Sequence, residues 1–367
     1  MSSGGRTVMT VIGNRPQFVK AAAVSAHLRE RAEEVLVHTG QHYDPELSDI
    51  FFEQLEMPAP DRELEVGSGS HAEQTAAILT GLEPLVSEIE PDALLVYGDT
   101  NSTLGGALVA AKGSIPLVHV EAGMRSGNRA MPEEINRLVV DSLGGLLLCS
   151  TETALMNLRD EGLGERAAVT GDVMADVALA FSPLADERSD VLERLGLEPR
   201  GFSVATAHRP GNVDDPERLR LVVEVLARAA RDAPVVFPVH PRTRSRLDGI
   251  GALDSMSDRG IVPVEPLGYL DITRLVRSAR AVITDSGGMQ KEAFLASVPC
   301  LTMREETEWV ETLESGWNRL IGLDPGAVEG ALTALPAPGE TSPAAELYGG
   351  GRAGERVAAA IAGWLPS

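Results

Sequence analysis

A chain of 367 residues, 43% of them hydrophobic, is long for a single hydrophobic core and predicts two domains. Its formal net charge of -22 argues against nucleic acid and against an anionic membrane as partners, since both reward clustered Lys and Arg, so an anionic ligand must be held by local positive charge. No stretch approaches the roughly 20 apolar residues of a bilayer span, MSSGGRTVMTVIG lacks the layout of a secretory signal, and Cys149 and Cys300 sit in apolar runs as free thiols, which together predict a cytoplasmic protein.

From the N-terminus, short apolar runs alternate with amphipathic stretches of helix length: TVMTVIG, EVLVHTG, ALLVYGD, PLVHVEA and LLLCST, then FSVATAH, PVVFPVH, IVPVEPLG, AVITDSGG and PCLTMR. Apolar runs bounded by Gly, Pro, Asp or Ser are the pattern of parallel strands in βαβ units, and two doubly wound sheets accommodate them. The stretch from Gly171 to Arg200 has helical patterning, charge and no strand, which puts the junction near residue 170. The expected division is an α/β Rossmann-like domain over 1–170, a second over 171–350, and a tail helix in 351–367. In that tail Val357, Ala358, Ile361 and Trp364 recur at helical spacing and need a surface to pack on.

Candidate site residues cluster where strands end, the edge at which open α/β sheets bind ligands. The first strand runs into GNRPQFVK, where Gly13 permits a tight turn, Pro16 suits a helix start, and Arg15 and Lys20 bring cations. Asp99 ends ALLVYGD, Glu121 ends PLVHVEA, and Glu133 opens a helix after MRSGNRAMPEE. Each alone has an ordinary explanation, a helix N-terminus for Asp99 or Glu133 and a pairing with Arg125 for Glu121, but three acids at one rim point to chemistry. In the second half His208 and Arg209 follow one strand, His240 follows another, and Asp285-Ser286-Gly287-Gly288 offers backbone N–H groups and a helix start to a phosphate. His208 suits phosphate contact better than proton transfer. His38 and His42 in HTGQH have no third ligand in view, so neither a metal nor another cofactor is expected. Carboxylates beside a phosphate leaving group suit positive charge developing on a sugar ring better than phosphoryl transfer.

GNRPQFVK, TGQHYD, VYGDTNSTL, HVEAGMRSGNRAMPEEINR, TGDVMAD, AHRPGN, PVHP, DSGGMQKEA and MREETE, in this order, resemble the non-hydrolysing UDP-N-acetylglucosamine 2-epimerases over nearly the whole chain. That resemblance implies two Rossmann-like domains facing a cleft, the glycosyltransferase-B fold, with the last helix returning to the first domain. It implies a homodimer whose substrate is a UDP-activated N-acetylhexosamine, with Asp99, Glu121 and Glu133 as catalytic acids. Arg15, Lys20, His208, Ser286, Gly287, Gly288 and Glu292 become the uridine diphosphate contacts, Glu292 on the ribose hydroxyls. The implied reaction interconverts UDP-GlcNAc and UDP-ManNAc by elimination of UDP to a 2-acetamidoglucal and re-addition, supplying a sugar for surface polysaccharide.

Two departures bear on substrate and regulation. Thr307-Glu308-Trp309-Val310-Glu311 stands where many members have TERPE, so Trp309 replaces an arginine. With GxRPQFxKA and FFEQL, this is similar to the branch containing 2-epimerases of UDP-2,3-diacetamido-2,3-dideoxyglucuronate. Regulated bacterial members bind a second UDP-N-acetylglucosamine, and Gln41, Gln74, Arg209 and His240 match positions that would hold it, although AHRPGN lacks the acid that often follows HR. A UDP-sugar glycosyltransferase of the same fold is the rival enzyme, and a non-catalytic nucleotide-sugar regulator the rival from another class. For a dimer interface Phe51, Phe52 and Leu55 of FFEQL are candidates, with burial in the first core as their ordinary reading.

Overall fold

The computed structural model describes residues 5–41, 59–336 and 339–365, so His42 and the FFEQL residues lie outside the described part. The chain forms two compact units, Met1–Val177 with Glu346–Ser367, and Ala178–Ala345. Among the described residues no helix is long and apolar enough to cross a membrane.

In the first unit the strands are β1 (Thr7–Ile12), β2 (Glu33–His38), β3 (Arg62–Glu63), β4 (Ala93–Tyr97), β5 (Leu117–Ala122), β6 (Leu146–Cys149) and β7 (Ala167–Val169). They line up as β3-β2-β1-β4-β5-β6-β7, every pair parallel. Chain order therefore reverses between β1 and β4, and the crevice at such a reversal is where doubly wound sheets take ligands. The inner strands are apolar on both faces because helices cover both. Asn14 caps the helix Arg15–Arg29 through its side chain, and Thr100 forms a capping box at the helix Asn101–Lys112.

The last helix, Ala353–Trp364, packs its apolar stripe on this unit: Val357, Ala358 and Ile361 are buried with Phe18, Ala21, Val24 and Leu28. Burying Val357 and Ile361 contributes roughly 1.5–3 kcal/mol each. Gly354 allows the close approach, since a Cβ there would stand 1.9 Å from the Ala23 carbonyl oxygen.

The second unit holds β8 (Ser203–Thr206), β9 (Val235–Pro238), β10 (Ile261–Val264), β11 (Ala281–Thr284), β12 (Cys300–Thr302) and β13 (Asn318–Leu320). Their order is β10-β9-β8-β11-β12-β13, again all parallel, with the reversal between β8 and β11. Its helices bury Leu219, Val222 and Leu226 on one face and Leu275, Val276 and Ala293 on the other. Three strands carry no apolar-run signature, β3, β7 and β13, and all three are sheet edges.

Candidate active site

In the first unit the ends of β4 and β5 and one helix assemble the acids. Gly98 turns the chain out of β4 with φ +63°, and a Cβ there would lie 3.0 Å from the Lys20 Nζ. The Asp99 carboxylate accepts from Arg137 Nη1 at 2.7 Å, and its carbonyl accepts from Asn136 Nδ2 at 2.8 Å. Glu121 sits in a register irregularity of β5 between Val120 and Ala122, with φ +70°. A non-glycine residue in that region costs of order 1–3 kcal/mol and is kept where a side chain must be re-aimed. Here the carboxylate is brought 2.7 Å from Lys20 Nζ. Arg125, the partner suggested by sequence proximity, instead pairs with Asp141 at 2.7 Å and Glu161 at 2.6 Å.

The helix Pro132–Leu143 supplies the third wall. Glu133 in its first turn is exposed, while the adjacent Glu134 is buried, accepting from the Ser126 and Gly127 amides at 3.0 and 3.1 Å and pairing with Arg137 at 3.0 Å. Burial opposes ionisation of Glu134, but the Ser126 amide and Arg137 outweigh it and hold the carboxyl below the usual range. Asp99 goes the other way. Desolvation pushes its carboxyl up, Arg137 and Lys20 oppose, and Glu121 and Glu133 add to the rise. For Lys20 desolvation alone would lower the ammonium, yet Glu121 and Asp99 raise it above the ordinary lysine value. The result is a carboxyl suited to holding a proton beside an ammonium that its acidic neighbours keep charged.

Of the other cation named at this strand end, Arg15, only the backbone at the start of its helix is described. Gln41 and Gln74 have amide groups engaged in the frame. Gln41 Oε1 accepts from Ser102 N and Oγ at 3.1 and 2.7 Å, and Gln74 Nε2 donates to the Gly67 carbonyl at 2.9 Å while its Oε1 accepts from Asn101 at 2.9 Å. Both brace the start of the helix Asn101–Lys112.

The second unit holds the strand end that the sequence offers to a phosphate. Buried Asp285 accepts from the amides of His208 and Arg209 and from Asn212 Nδ2, each at 3.1 Å, and so shapes the loop after β8. His208 stays half exposed; desolvation lowers its imidazole, Asp285 opposes, and Arg209 and His240 lower it further. Ser286 caps the helix Gly287–Leu295 through its Oγ. A Cβ at Gly287 would meet Glu308 Oε1 at 2.3 Å, whereas Gly288 has room. Glu308 pairs with Arg304 at 2.9 Å, and Lys291 Nζ lies 4.3 Å from the centre of the Trp309 ring. His240 caps the helix Pro241–Gly249, its Nδ1 accepting from Arg242 N. Glu292 lines a small recess with Tyr269, Thr273 and Arg277.

Sequence reasoning passed over Asn136, Arg137 and Asp141. For the last two the signal was present: Glu133, Arg137 and Asp141 recur every fourth residue of one helix, a polar stripe that faces the site.

The sequence profile of the UDP-N-acetylglucosamine 2-epimerase family matches residues 25–362. A UDP-2,3-diacetamido-2,3-dideoxy-D-glucuronate 2-epimerase of Pseudomonas aeruginosa is 44% identical over 364 residues, 97% of this chain and 99% of that one. A UDP-N-acetylglucosamine 2-epimerase homolog of Methanococcus maripaludis is 43% identical over 86% of this chain and 88% of its own. The crystal structure of the Methanocaldococcus jannaschii UDP-GlcNAc 2-epimerase in complex with UDP-GlcNAc and UDP superposes with a TM-score of 0.87 at 36% identity, covering 97% of this chain and 99% of that one.

Proposed function

Given that the chain belongs to the UDP-N-acetylglucosamine 2-epimerase family, we propose that it inverts C2 of a UDP-activated 2-acetamido sugar, interconverting UDP-GlcNAc and UDP-ManNAc for surface polysaccharide. The observation that carries this reading is the raised Asp99 carboxyl beside the Lys20–Glu121 pair. A C2 hydrogen is weakly acidic and needs a positioned base. Asp99 and Glu121 exchange that proton, Glu133 adds negative charge facing the oxocarbenium character, and UDP leaves C1 to give the 2-acetamidoglucal. Re-addition returns the proton to the opposite face. In the second unit the Ser286-Gly287-Gly288 amides, with His208, hold the departing diphosphate, as helix starts do, and Glu292 takes the ribose.

A second reading has one specific observation behind it. The Pseudomonas relative at 44% identity is named for the 2,3-diacetamido glucuronate nucleotide, and Trp309, with Lys291 over its ring, stands where many members carry the arginine of TERPE. Proton NMR in deuterated water with each nucleotide in turn separates the two. Deuterium at C2 with UDP-ManNAc appearing supports the first substrate, and exchange confined to the diacetamido nucleotide supports the second. Absence of exchange with both sinks the epimerase reading and favours a transferase of the same fold.

A further inference from the structure

His119 lies in β5, opposite Val96 of β4, and is fully buried. Its Nε2 is 2.7 Å from the Gly98 carbonyl oxygen and its Nδ1 is 2.7 Å from Asp141 Oδ1. A carbonyl oxygen only accepts, so Nε2 carries a hydrogen. Asp141 Oδ2 already accepts from the Gly123 amide at 3.1 Å and faces Arg125 at 2.7 Å, which marks the carboxylate as ionised. Nδ1 then donates as well, and the ring is an imidazolium. Arg125 and, at the surface, Glu161 complete a group that balances in charge, which lowers the cost of keeping His119 and Asp141 out of water.

The placement links both acid-bearing strand ends. The Gly98 carbonyl shares its peptide plane with the Asp99 amide, so holding the oxygen sets the direction in which the chain enters Asp99. On the other side the Asp99 carbonyl is held by Asn136, from the helix that also carries Asp141. Gly123, two residues after Glu121, hangs from the same Asp141 carboxylate. A buried ion pair is often no more stabilising than apolar residues of its size, so its use here fits specification of geometry.

We infer that His119 is a positioning residue of the reaction proposed above: a buried imidazolium, braced by Asp141, that fixes the peptide entering Asp99 and ties it to the strand end bearing Glu121. The inference rests on the epimerase reading for its kinetics but not for its charge state. Nitrogen-15 NMR of the full chain labelled at histidine, with His119 assigned through the His119→Gln spectrum, should show both ring nitrogens protonated at neutral pH. One protonated and one bare nitrogen overturns the inference, whatever the variants do. In C2 deuterium exchange, His119→Asn keeps a donor near the former Nδ1 and loses the Gly98 bond, while His119→Gln keeps a donor near the former Nε2. Asn is expected to lower kcat at least ~10-fold with KM within about twofold, and Gln to recover several-fold of that loss. Equal losses in both, or a loss carried by KM, overturn it. If the unaltered protein exchanges no deuterium on any UDP-sugar, the epimerase reading falls and the NMR result still stands on its own.

Discussion

Asp99 carries the proposed chemistry by virtue of conflict: desolvation raises its carboxyl while Arg137 and Lys20 pull it down. Asp99→Asn keeps the size and the Asn136 contact but removes one of the two groups that exchange the C2 proton, so kcat for C2 exchange should fall by about 10²–10⁴-fold while UDP binding, followed by calorimetry, stays unchanged. Normal turnover by this variant would end the mechanism. A second residue gives a pH prediction. His38, at the end of β2 with its ring 4.6 Å from Phe18, is lowered by burial to about 4. The unfolded chain takes up that proton near pH 6.5 and the folded one only near 4, so the cost to the folded state is absent above 6.5 and grows as pH falls towards 4. Thermal midpoints of the unaltered protein should drop across that window more than those of His38→Phe. Asp99 and Glu121 were legible as candidates because a carboxylate ending an apolar run is conspicuous. Their partners were not: Lys20 meets Glu121 and Arg137 meets Asp99 only after parallel strands and a helix are stacked, a relation that no local pattern encodes.

At the scale of elements, ten strands were readable as apolar runs bounded by turn residues. The short edges β3, β7 and β13 were not, since an edge strand is held by its neighbour's backbone and needs little apolar side chain of its own. Likewise the crossing between units at Val177 falls inside the helix Val173–Arg188, where composition gives no break. The tail helix offers a test in which two identical substitutions act in opposite directions. Gly363 is exposed with nothing near its missing Cβ, so Gly363→Ala should stabilise by about 0.5–1 kcal/mol through helix propensity. Gly354→Ala gains the same propensity but drives its Cβ into the Ala23 backbone, and the helix must lift from its groove at a cost of roughly 1–3 kcal/mol. Denaturant midpoints of the two variants should move apart; equal shifts would mean that the tail helix does not pack on Arg15–Arg29 as described.

For the whole molecule, each unit has a hydrophobic core of its own, and the tail helix belongs to the first. Two cores in one chain predict two cooperative unfolding transitions, whose owners can be told apart by what moves them. UDP, held by the Ser286-Gly287-Gly288 cradle in this reading, binds the second unit and stabilises it by about 2.7 kcal/mol at a concentration of 100 Kd. For a unit of this size that is a shift of ~5–10 °C in one transition. Gly354→Ala should lower the other transition and leave the UDP-sensitive one in place. Scanning calorimetry of the unaltered protein and this variant, each with and without UDP, checks both at once. A single transition that UDP and Gly354→Ala move together would show that the units unfold as one. If UDP shifted the transition sensitive to Gly354, the nucleotide would have to be anchored by Arg15 and Lys20 of the first unit, with the Ser286 cradle left for another anion.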